Sequence, residues 1–404
     1  MKTPFAKHIL RHPHYRRIWM AQVFSELGDW AGRLAIALYI LHRTGSATAA
    51  GLALATTVAA SLLAPLLGSL GDRFPPIRVM IICDVVRAAL FSAVLVAPFG
   101  LIYPLLFLVG LAAIPFTTAR LKLYPYLLPD ETQMQQARHF SYSTNQSVQI
   151  LGFVAGGILV QAMGASWVLL IDAASFILSA ILLAGITVAI PADSSIRRLI
   201  SAGYRAVWHH SDMRQACLLM AVGLAGFSVS VELVALFVQE QYGPHSWLLG
   251  LLPALFPLGI LLGKRILGIW PPTKDVATLL LRGRLITIAG SAAALAGLAL
   301  GSRPWASVAA FLAMGIATGS SYLYRDIMQY VVPKAIFASA GGFLQSFLQT
   351  VAVLSLLLAS LLIGSMGPTK ACIVLIGISC SYTLFSLLHN LTLKTRKYLT
   401  KGTL

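Results

Sequence analysis

Charged residues are scarce in this chain, acidic ones above all. Of its 404 residues only 13 are Asp or Glu, and charged residues of both signs make up 11%. Soluble globular domains carry about 25% charged residues, so the composition excludes that class. Hydrophobic residues make up 58% of the chain and its mean hydropathy is +0.81. Because apolar stretches of about 20 residues, each able to cross a bilayer, recur along the chain, we expect a polytopic membrane protein.

Cysteine and catalytic signatures are sparse as well. The four cysteines, Cys83, Cys217, Cys372 and Cys380, lie within apolar stretches and form no CxxC pair. This pattern predicts small core residues rather than disulfides or metal ligands. The sequence has no zinc spacing, P-loop, GxSxG or HExxH element. We therefore expect no enzyme activity, no cofactor, no metal site and no ATP-driven pumping.

Positive charge, in contrast, is in excess, with a formal net charge of +17. The basic residues lie at the ends of apolar stretches rather than in one patch interleaved with aromatics, which argues against a nucleic-acid partner. If the N-terminus is cytoplasmic, most Lys and Arg fall in cytoplasmic connections, and the outer loops hold Arg43, Arg303 and Lys370. The positive-inside rule then predicts that both termini are cytoplasmic and that the number of spans is even.

The apolar stretches are continuous rather than alternating, which indicates helices and not a membrane barrel. We predict twelve spans, near residues 17–42, 46–70, 79–98, 102–122, 138–162, 166–190, 214–239, 246–268, 279–300, 305–325, 335–364 and 369–391. The fold class is thus an all-α membrane protein with two pseudo-symmetric six-helix bundles, 1–190 and 214–404, joined by a cytoplasmic linker, 191–213. Short repeats support this duplication, since Met163-Gly164 recurs as Met366-Gly367.

A short charged segment between the second and third predicted spans carries the first family signal. The segment Leu67–Ile82 contains Gly68, Asp72, Arg73 and Arg78. It resembles the Gly-x-Leu-x-Asp-Arg-x-Gly-Arg-Arg loop between helices 2 and 3 of the major facilitator superfamily, a family of solute transporters. The resemblance implies that these four residues take part in gating, because charged contacts at such a loop hold one state of two rocking bundles.

Other segments resemble one branch of that family. Gln22, Ser25, Gly28 and Asp29 match the Gln-x-x-Ser-x-x-Gly-Asp core of the first helix in the drug-exporter branch, which includes macrolide efflux pumps and the enterobactin exporter. The segment Cys83–Ala88 is similar to the Asp-x-x-Arg-Ala element of that branch, and 203–210 is similar to its linker. The resemblance implies export of a drug, macrolide or siderophore by alternating access, with the solute bound near the midplane.

The first predicted span carries a polar stripe. Gln22, Glu26, Asp29 and Arg33 fall within roughly 60° of one another on a helical projection. A charge at the bilayer centre costs about 2.5–3.5 kcal/mol on insertion scales, so we expect the stripe to face a central cavity. One interpretation is a site where Glu26 or Asp29 gains and loses a proton. The alternative is a permanent Asp29–Arg33 salt bridge with a structural role.

Further polar residues are candidates for the cavity or for gating. Asp84 and Arg87, on the third span, are interpreted as a gate pair that ties helices together. Glu232 follows Ser228 by one turn, and Asp172 is a lone carboxylate on the sixth span. The uncharged candidates for the cavity wall are Gln146, Gln149, Gln345 and Tyr322. Interhelical hydrogen bonding, worth about 0.6 kcal/mol per pair, is the alternative for each of these four.

Three functions stay open at the level of sequence. The first is proton-coupled export of an amphiphilic small molecule across a bacterial cytoplasmic membrane, by a protein that acts as a monomer. The second is an uptake carrier or a lysolipid transporter without proton antiport. It is suggested by the segment Gly152–Gly157, which resembles an antiporter element but lacks its proline. The third is a receptor or assembly protein that keeps the fold without transport. The partners expected for the first function are a small-molecule solute, protons and the lipid bilayer.

Overall fold

The structure is a computed structural model, and it describes residues 10, 12–63, 74–127, 131–186, 204–205, 207–243, 247–271, 273–300, 303–332 and 337–401. Every regular element in those residues is a helix, which confirms the all-α expectation. A chain in lipid has no water for its backbone amides, so continuous apolar segments satisfy their own hydrogen bonds by forming helices.

The described residues of the first half form six helices. They are α1 (Pro13–Thr44), α2 (Ala47–Ala59, continued by a 3₁₀ turn at Ala60–Leu63), α3 (Pro76–Val96), α4 (Phe99–Leu127), α5 (Glu131–Met163) and α6 (Ala165–Ala184). The second half contains α7 (Ser211–Gly223), a π-helical segment (Leu224–Ser228), α8 (Val229–Glu232), α9 (Val234–Tyr242), α10 (Leu248–Leu267), α11 (Val276–Ala299), α12 (Pro304–Thr318), α13 (Ser321–Val331), α14 (Phe337–Met366) and α15 (Pro368–Lys401).

Two corners between helices consist of a single glycine. Gly164 joins α5 to α6 with φ +86°, and Gly367 joins α14 to α15 with φ +84°. Side chains with a Cβ disfavour this left-handed region, so glycine is the residue that permits such an abrupt reversal. The two corners coincide with the Met-Gly repeat in the sequence, and their shared geometry fits the proposed duplication.

Ten helical stretches of the described residues are long and apolar enough to cross a membrane. The shorter apolar helix Ala47–Leu63 falls below the required length, and α1, which carries Glu26, Asp29 and Arg33 in its middle, is not among the ten. A multi-pass membrane protein is therefore supported. The number twelve stays a prediction.

The chain divides into two compact units, residues 1–197 with 243–254, and residues 198–242 with 255–404. In the first unit, α1 packs against α2, α5 and α6, while α3 packs against α4 and α6. In the second unit, α11 packs against α12, α13 and α15, and α7 packs against α13 and α14. Most of the linker predicted at 191–213 lies outside the described residues, so the predicted boundaries stay a prediction.

Glycines allow α5 to approach α1 closely. A Cβ atom on Gly156 would lie 2.7 Å from the Cα of Ala31, and one on Gly152 would lie 2.7 Å from the Cβ of Trp30. Small residues at helix contacts let two backbones come together and gain dispersion energy in lipid. The approach fixes the position of the α5 residues that face α1.

We expect the variant Gly156→Leu to destabilise the first unit by about 1–3 kcal/mol, because the added side chain overlaps the backbone of α1. Thermal unfolding in detergent, followed by tryptophan fluorescence, measures the effect. Gly100→Leu is the matched control, since Gly100 lies at an exposed helical position of the same unit and a Cβ atom there would meet no heavy atom within 4 Å. Equal melting temperatures for the two variants would contradict this packing argument.

Candidate functional site

The polar stripe of α1 meets partners on three other helices. Glu26 accepts hydrogen bonds from Gln22 Nε2 at 2.9 Å and from Asn145 Nδ2 of α5 at 2.6 Å. It also forms an ion pair with Arg120 of α4, with 3.3 Å between Nη1 and Oε1. Both charged side chains are largely buried, with 17% exposed for Glu26 and 18% for Arg120. Glu26 is thus held by one cation and two amide groups.

Asp29 pairs with a different cation. Its Oδ1 accepts a hydrogen bond from Nη2 of Arg87, on α3, at 2.5 Å. The same guanidinium lies 4.0 Å from the Asp84 carboxylate and 3.9 Å above the ring centre of Phe176 on α6. Arg87 therefore connects α1, α3 and α6, whereas the sequence suggested a pair with Arg33 on α1 itself. Arg33 stacks on Trp30, with 4.6 Å between the guanidinium carbon and the ring centre.

These groups surround one cavity in the first unit. Its volume is about 110 Å³. The lining residues come from α1, α3 and α4: Gln22, Ser25, Glu26, Asp29, Arg87, Ala113, Phe116, Thr117 and Arg120. The expectation that the stripe of α1 faces a cavity therefore agrees with the geometry of Gln22, Glu26 and Asp29. The two carboxylates at such a wall can bind and release protons, and the two guanidiniums can donate hydrogen bonds to a polar group.

Two further carboxyl groups lie deeper in this unit. Asp84 and Asp172 are both 0% exposed. Among the described residues, none of the four carboxyl oxygens has a hydrogen-bond partner. Asp84 and Arg87, predicted to tie helices together, lie one turn apart on the same helix with a 4.0 Å separation. The tie between helices runs instead from Arg87 to Asp29.

The remaining candidates of the first half are dispersed. Gln146 and Gln149 lie on α5 and are buried, with 5% and 8% exposed, but neither lines the cavity. Arg78 is exposed in the first turn of α3. The predicted gating residues Gly68, Asp72 and Arg73 lie outside the described residues.

The second unit contains the other three candidates. Glu232 is the last residue of α8, the short helix that follows the π-helical segment Leu224–Ser228. Its side chain is half-buried. Tyr322 lies on α13, with the Lys264 ammonium 5.1 Å from its ring centre. Gln345 is exposed on α14. The three candidates are thus distributed over three separate helices of this unit.

A buried cation is the main polar feature of the second unit. Arg284, on α11, is 4% exposed. It donates from Nη2 to Gln215 Oε1 on α7 at 2.7 Å, and from Nε to Ser386 Oγ on α15 at 3.2 Å. Asn390 donates to the same Gln215 oxygen at 3.3 Å. The hydrogen bonds of Arg284 to described residues thus go to neutral groups. The carboxylate of Asp212, also among the described residues, acts on Arg284 through charge and makes no hydrogen bond to it.

Arg120, Arg284 and Asn145 were not predicted as site residues, and Asp172 was a candidate without a predicted partner. The sequence placed Arg120 and Arg284 among the topogenic charges at span ends, yet each lies several residues inside its helix, α4 or α11, and contacts a neighbouring helix. Asn145 is next to Gln146 in the sequence and points to Glu26 instead. Asp172 is a lone carboxylate in the sequence. In each case the signal was one polar residue in an apolar helix, which does not reveal its partner.

No group of three His, Cys, Asp or Glu in the described part of the chain could hold a metal ion. The four cysteines are free, three of them buried and Cys380 half-buried. The polar groups at the cavity include carboxylates, which can bind protons, and guanidiniums and amides, which can donate hydrogen bonds.

Comparison with known sequences identifies relatives of this chain. The family model described as Major Facilitator Superfamily matches residues 18–356. The chain is also similar to a protein of Bacillus subtilis (strain 168), named as the uncharacterized MFS-type transporter YfiS. The two are 25% identical over 406 residues, which cover 94% of each chain.

Solved structures show the same fold. The crystal structure of the nucleoside transporter NupG aligns with a TM-score of 0.67 and 16% identity, covering 92% of this chain and 98% of that one. A bacterial homolog of the human lysosomal transporter Spinster, in an inward-facing and occupied conformation, aligns with a TM-score of 0.69 and 16% identity, covering 96% and 97%. At this identity the likeness concerns the fold alone.

The ion pair between Asp29 and Arg87 is expected to contribute to folding. Replacing one partner of a buried pair costs about 3–5 kcal/mol because the other charge stays unpaired, and less here since the Asp29 side chain is 30% exposed. We expect Arg87→Gln to lower the melting temperature more than the double variant Asp29→Asn/Arg87→Gln, because in the double variant Asp29 is neutral as well. A double-mutant cycle of thermal unfolding measures the coupling, and additive effects would contradict the pairing.

Proposed function

Because this chain belongs to the major facilitator superfamily, a family of membrane transporters rather than enzymes, we propose that it exports an amphiphilic small molecule in exchange for protons. The observation that carries the proposal is the arrangement around Glu26. This carboxylate lies at the cavity wall of the first unit and is held by Arg120 and Asn145. A carboxylate that can break such contacts is suited to coupling proton binding to another event.

The chemistry of coupling follows from charge. When Glu26 is ionised, it neutralises Arg120 and accepts the hydrogen bonds of both neighbouring amides. When Glu26 takes up a proton, its attraction to Arg120 falls, since opposite charge within about 4–6 Å favours the charged form of both groups. A hydrogen-bond donor or cationic group of the solute binds the ionised carboxylate and loses that acceptor when Glu26 is protonated. Proton and solute therefore compete for one set of contacts, as antiport requires.

Asp29 is the second coupling candidate. It forms an ion pair with Arg87, as Glu26 does with Arg120. Export rather than uptake is proposed from the resemblance of the segments around Gln22, Asp29 and Asp84 to the exporter branch. The amphiphilic nature of the solute is proposed from the mixed wall of the cavity, where Phe116 and Ala113 accompany the charged residues.

The remaining roles are part of the same proposal. Gly68, Asp72, Arg73, Arg78, Asp84 and Arg87 are proposed for gating. The proposed contributors to solute contact elsewhere in the chain are Arg33, Gln146, Gln149, Glu232, Gln345 and Tyr322. The transporter is proposed to act as a monomer by alternating access in the cytoplasmic membrane of a bacterium, with both termini inside, in keeping with the distribution of Lys and Arg.

The coupling is tested in liposomes that hold a pH dye and have no initial pH difference. Addition of a macrolide, a fluorescent dye or a siderophore is expected to raise the internal pH, because solute entering through an antiporter drives protons out. Glu26→Gln is expected to abolish the pH change, since the amide cannot exchange a proton. Glu26→Gln combined with Asp29→Asn is expected to do the same.

The matched control is Asp275→Asn, an exposed carboxylate that caps the N-terminus of α11 by accepting a bond from Thr278 N. Asparagine caps helices as well as aspartate does, so this variant should behave as the wild type. Proton movement that persists unchanged in the Glu26→Gln/Asp29→Asn variant would overturn proton coupling at this site.

A second candidate function is favoured by Arg284. A buried guanidinium bonded only to neutral groups in the described part of the chain leaves much of its charge without a counter-ion, and burial of such a charge is costly. An anionic amphiphile, such as a lysolipid with its phosphate, would supply that charge. The second candidate is therefore a carrier of an anionic amphiphile, moved without proton antiport.

We expect Arg284→Gln to reduce transport of a radiolabelled lysolipid by about tenfold or more, because a charge-assisted hydrogen bond is worth about 1.5–3 kcal/mol. Arg282→Gln is the matched control, since Arg282 lies two residues away and bonds the exposed carbonyl of Pro271. Lysolipid flux that is independent of pH and sensitive only to Arg284→Gln would select this second function. Equal flux for both variants would reject it.

A further inference from the structure

We propose that Asp172 of α6 is a proton-binding site inside the first unit, and that its bound proton is what allows α6 to lie against α1. This goes beyond the proposed coupling at Glu26, because it concerns a group that does not line the cavity and a contact between two helices. The site is formed by one carboxyl group and a notch made by two glycines.

The carboxyl group is fully enclosed. Asp172 is 0% exposed, and neither of its carboxyl oxygens has a hydrogen-bond partner among the described residues. The hydroxyl of Ser175, one turn further along α6, donates to the backbone carbonyl of Asp172 at 2.7 Å. An ionised carboxylate taken from water to such a place is so costly that the group takes up a proton instead.

The notch lies on α1, at Gly28 and Gly32, which are one turn apart. A Cβ atom on Gly28 would lie 2.6 Å from Oδ1 of Asp172, and one on Gly32 would lie closer still to Oδ2. Each oxygen thus occupies the space that a side chain would fill. The backbone amides of a helix interior are already bonded within the helix. The Ser175 hydroxyl also lies at the notch, next to Gly28, but it donates its hydrogen to the backbone carbonyl of Asp172.

The surrounding charges lead to the same result. The charged groups that act on Asp172 are Asp29 and Arg33 from α1 and Arg87 from α3. Arg87 directs its hydrogen bond to Asp29 and lies 4.0 Å from Asp84. Three carboxyl groups, Asp29, Asp84 and Asp172, therefore share two guanidiniums. One carboxyl group is in excess, and Asp172 is the one without an ion pair in the described residues.

The proton has a mechanical consequence. With the proton in place, Asp172 is a neutral side chain that fits the notch. When the proton leaves to water, the carboxylate either withdraws from the notch or competes with Asp29 for the Arg87 guanidinium. Both outcomes loosen the contact between α1 and α6. Because α1 also carries Glu26, the position of the cavity wall becomes dependent on a second proton.

The test is infrared spectroscopy of the full-length protein in lipid. A protonated carboxylic acid gives a C=O stretching band that an ionised carboxylate lacks. At neutral pH we expect one such band in the wild type and in Asp84→Asn, and its loss in Asp172→Asn. Asp84→Asn is the matched control because it removes an equally buried carboxyl group that has a guanidinium at 4.0 Å.

Thermal unfolding gives the second measurement. The wild type is expected to lose stability as the pH is raised, because the proton that the notch needs is removed, whereas Asp172→Asn is expected to lose this pH dependence. If Asp172→Asn does not fold, Asp172→Ser serves as a smaller neutral replacement. If neither folds, an acid band that persists in Glu26→Gln, Asp29→Asn and Asp84→Asn supports the proposal, and its absence from the wild type overturns it.

Absence of the band from the wild type at neutral pH, its persistence in Asp172→Asn, or its loss in Asp84→Asn would each overturn the proposal. None of these spectra depends on transport. A failure of proton exchange in liposomes would therefore leave this proton site standing, and a missing band would leave the coupling at Glu26 untouched.

Discussion

The guanidinium of Arg87 lies where three helices of the first unit come together. It donates to Asp29 on α1, lies near Asp84 on its own helix and stacks on Phe176 of α6. An arginine keeps its charge in nearly every environment and presents several donors in one plane. Its position therefore decides which carboxyl groups of this unit can stay ionised. The cavity wall, the deeper carboxyl groups and the contact between α1 and α6 all depend on how this single charge is shared.

The two units differ in how their buried charges are paired. The first unit buries four carboxyl groups, those of Glu26, Asp29, Asp84 and Asp172, wholly or in part. The second unit buries the cation Arg284 among neutral oxygens. Glu26 and Asp29 are thus paired with guanidiniums, whereas the described hydrogen-bond partners of Arg284 carry no charge.

The sequence was sufficient for the all-helical fold class and for one face of α1, because both depend on periodicity and hydropathy. The helical period places Gln22, Glu26 and Asp29 on one face, and these three do line one cavity. The same period says nothing about which residue of another helix is opposite. It therefore offered Arg33 as the partner of Asp29, whereas the ion pair is made by Arg87.

The sequence also did not reveal the partners of charged residues near the ends of spans. Arg120 has a sufficient explanation in the positive-inside rule, yet α4 extends to Leu127 and brings Arg120 against Glu26. The enclosure of the Asp172 carboxyl group depends on Gly28 and Gly32, which lie one turn apart on α1, far from Asp172 in the sequence. Such a notch is visible only when both backbones are placed, since the spacing of Gly28 and Gly32 equally suits a plain helix contact.

The two single-glycine corners bear on how the chain enters the membrane. A single residue separates α5 from α6, and a single residue separates α14 from α15. Neither pair can therefore have one helix inserted in the membrane while the other stays in water. Each pair has to enter as a helical hairpin. A topology reporter or epitope inserted at Gly164 or Gly367 would separate the two helices that it was meant to locate, so such markers belong at the chain ends or in the longer connections.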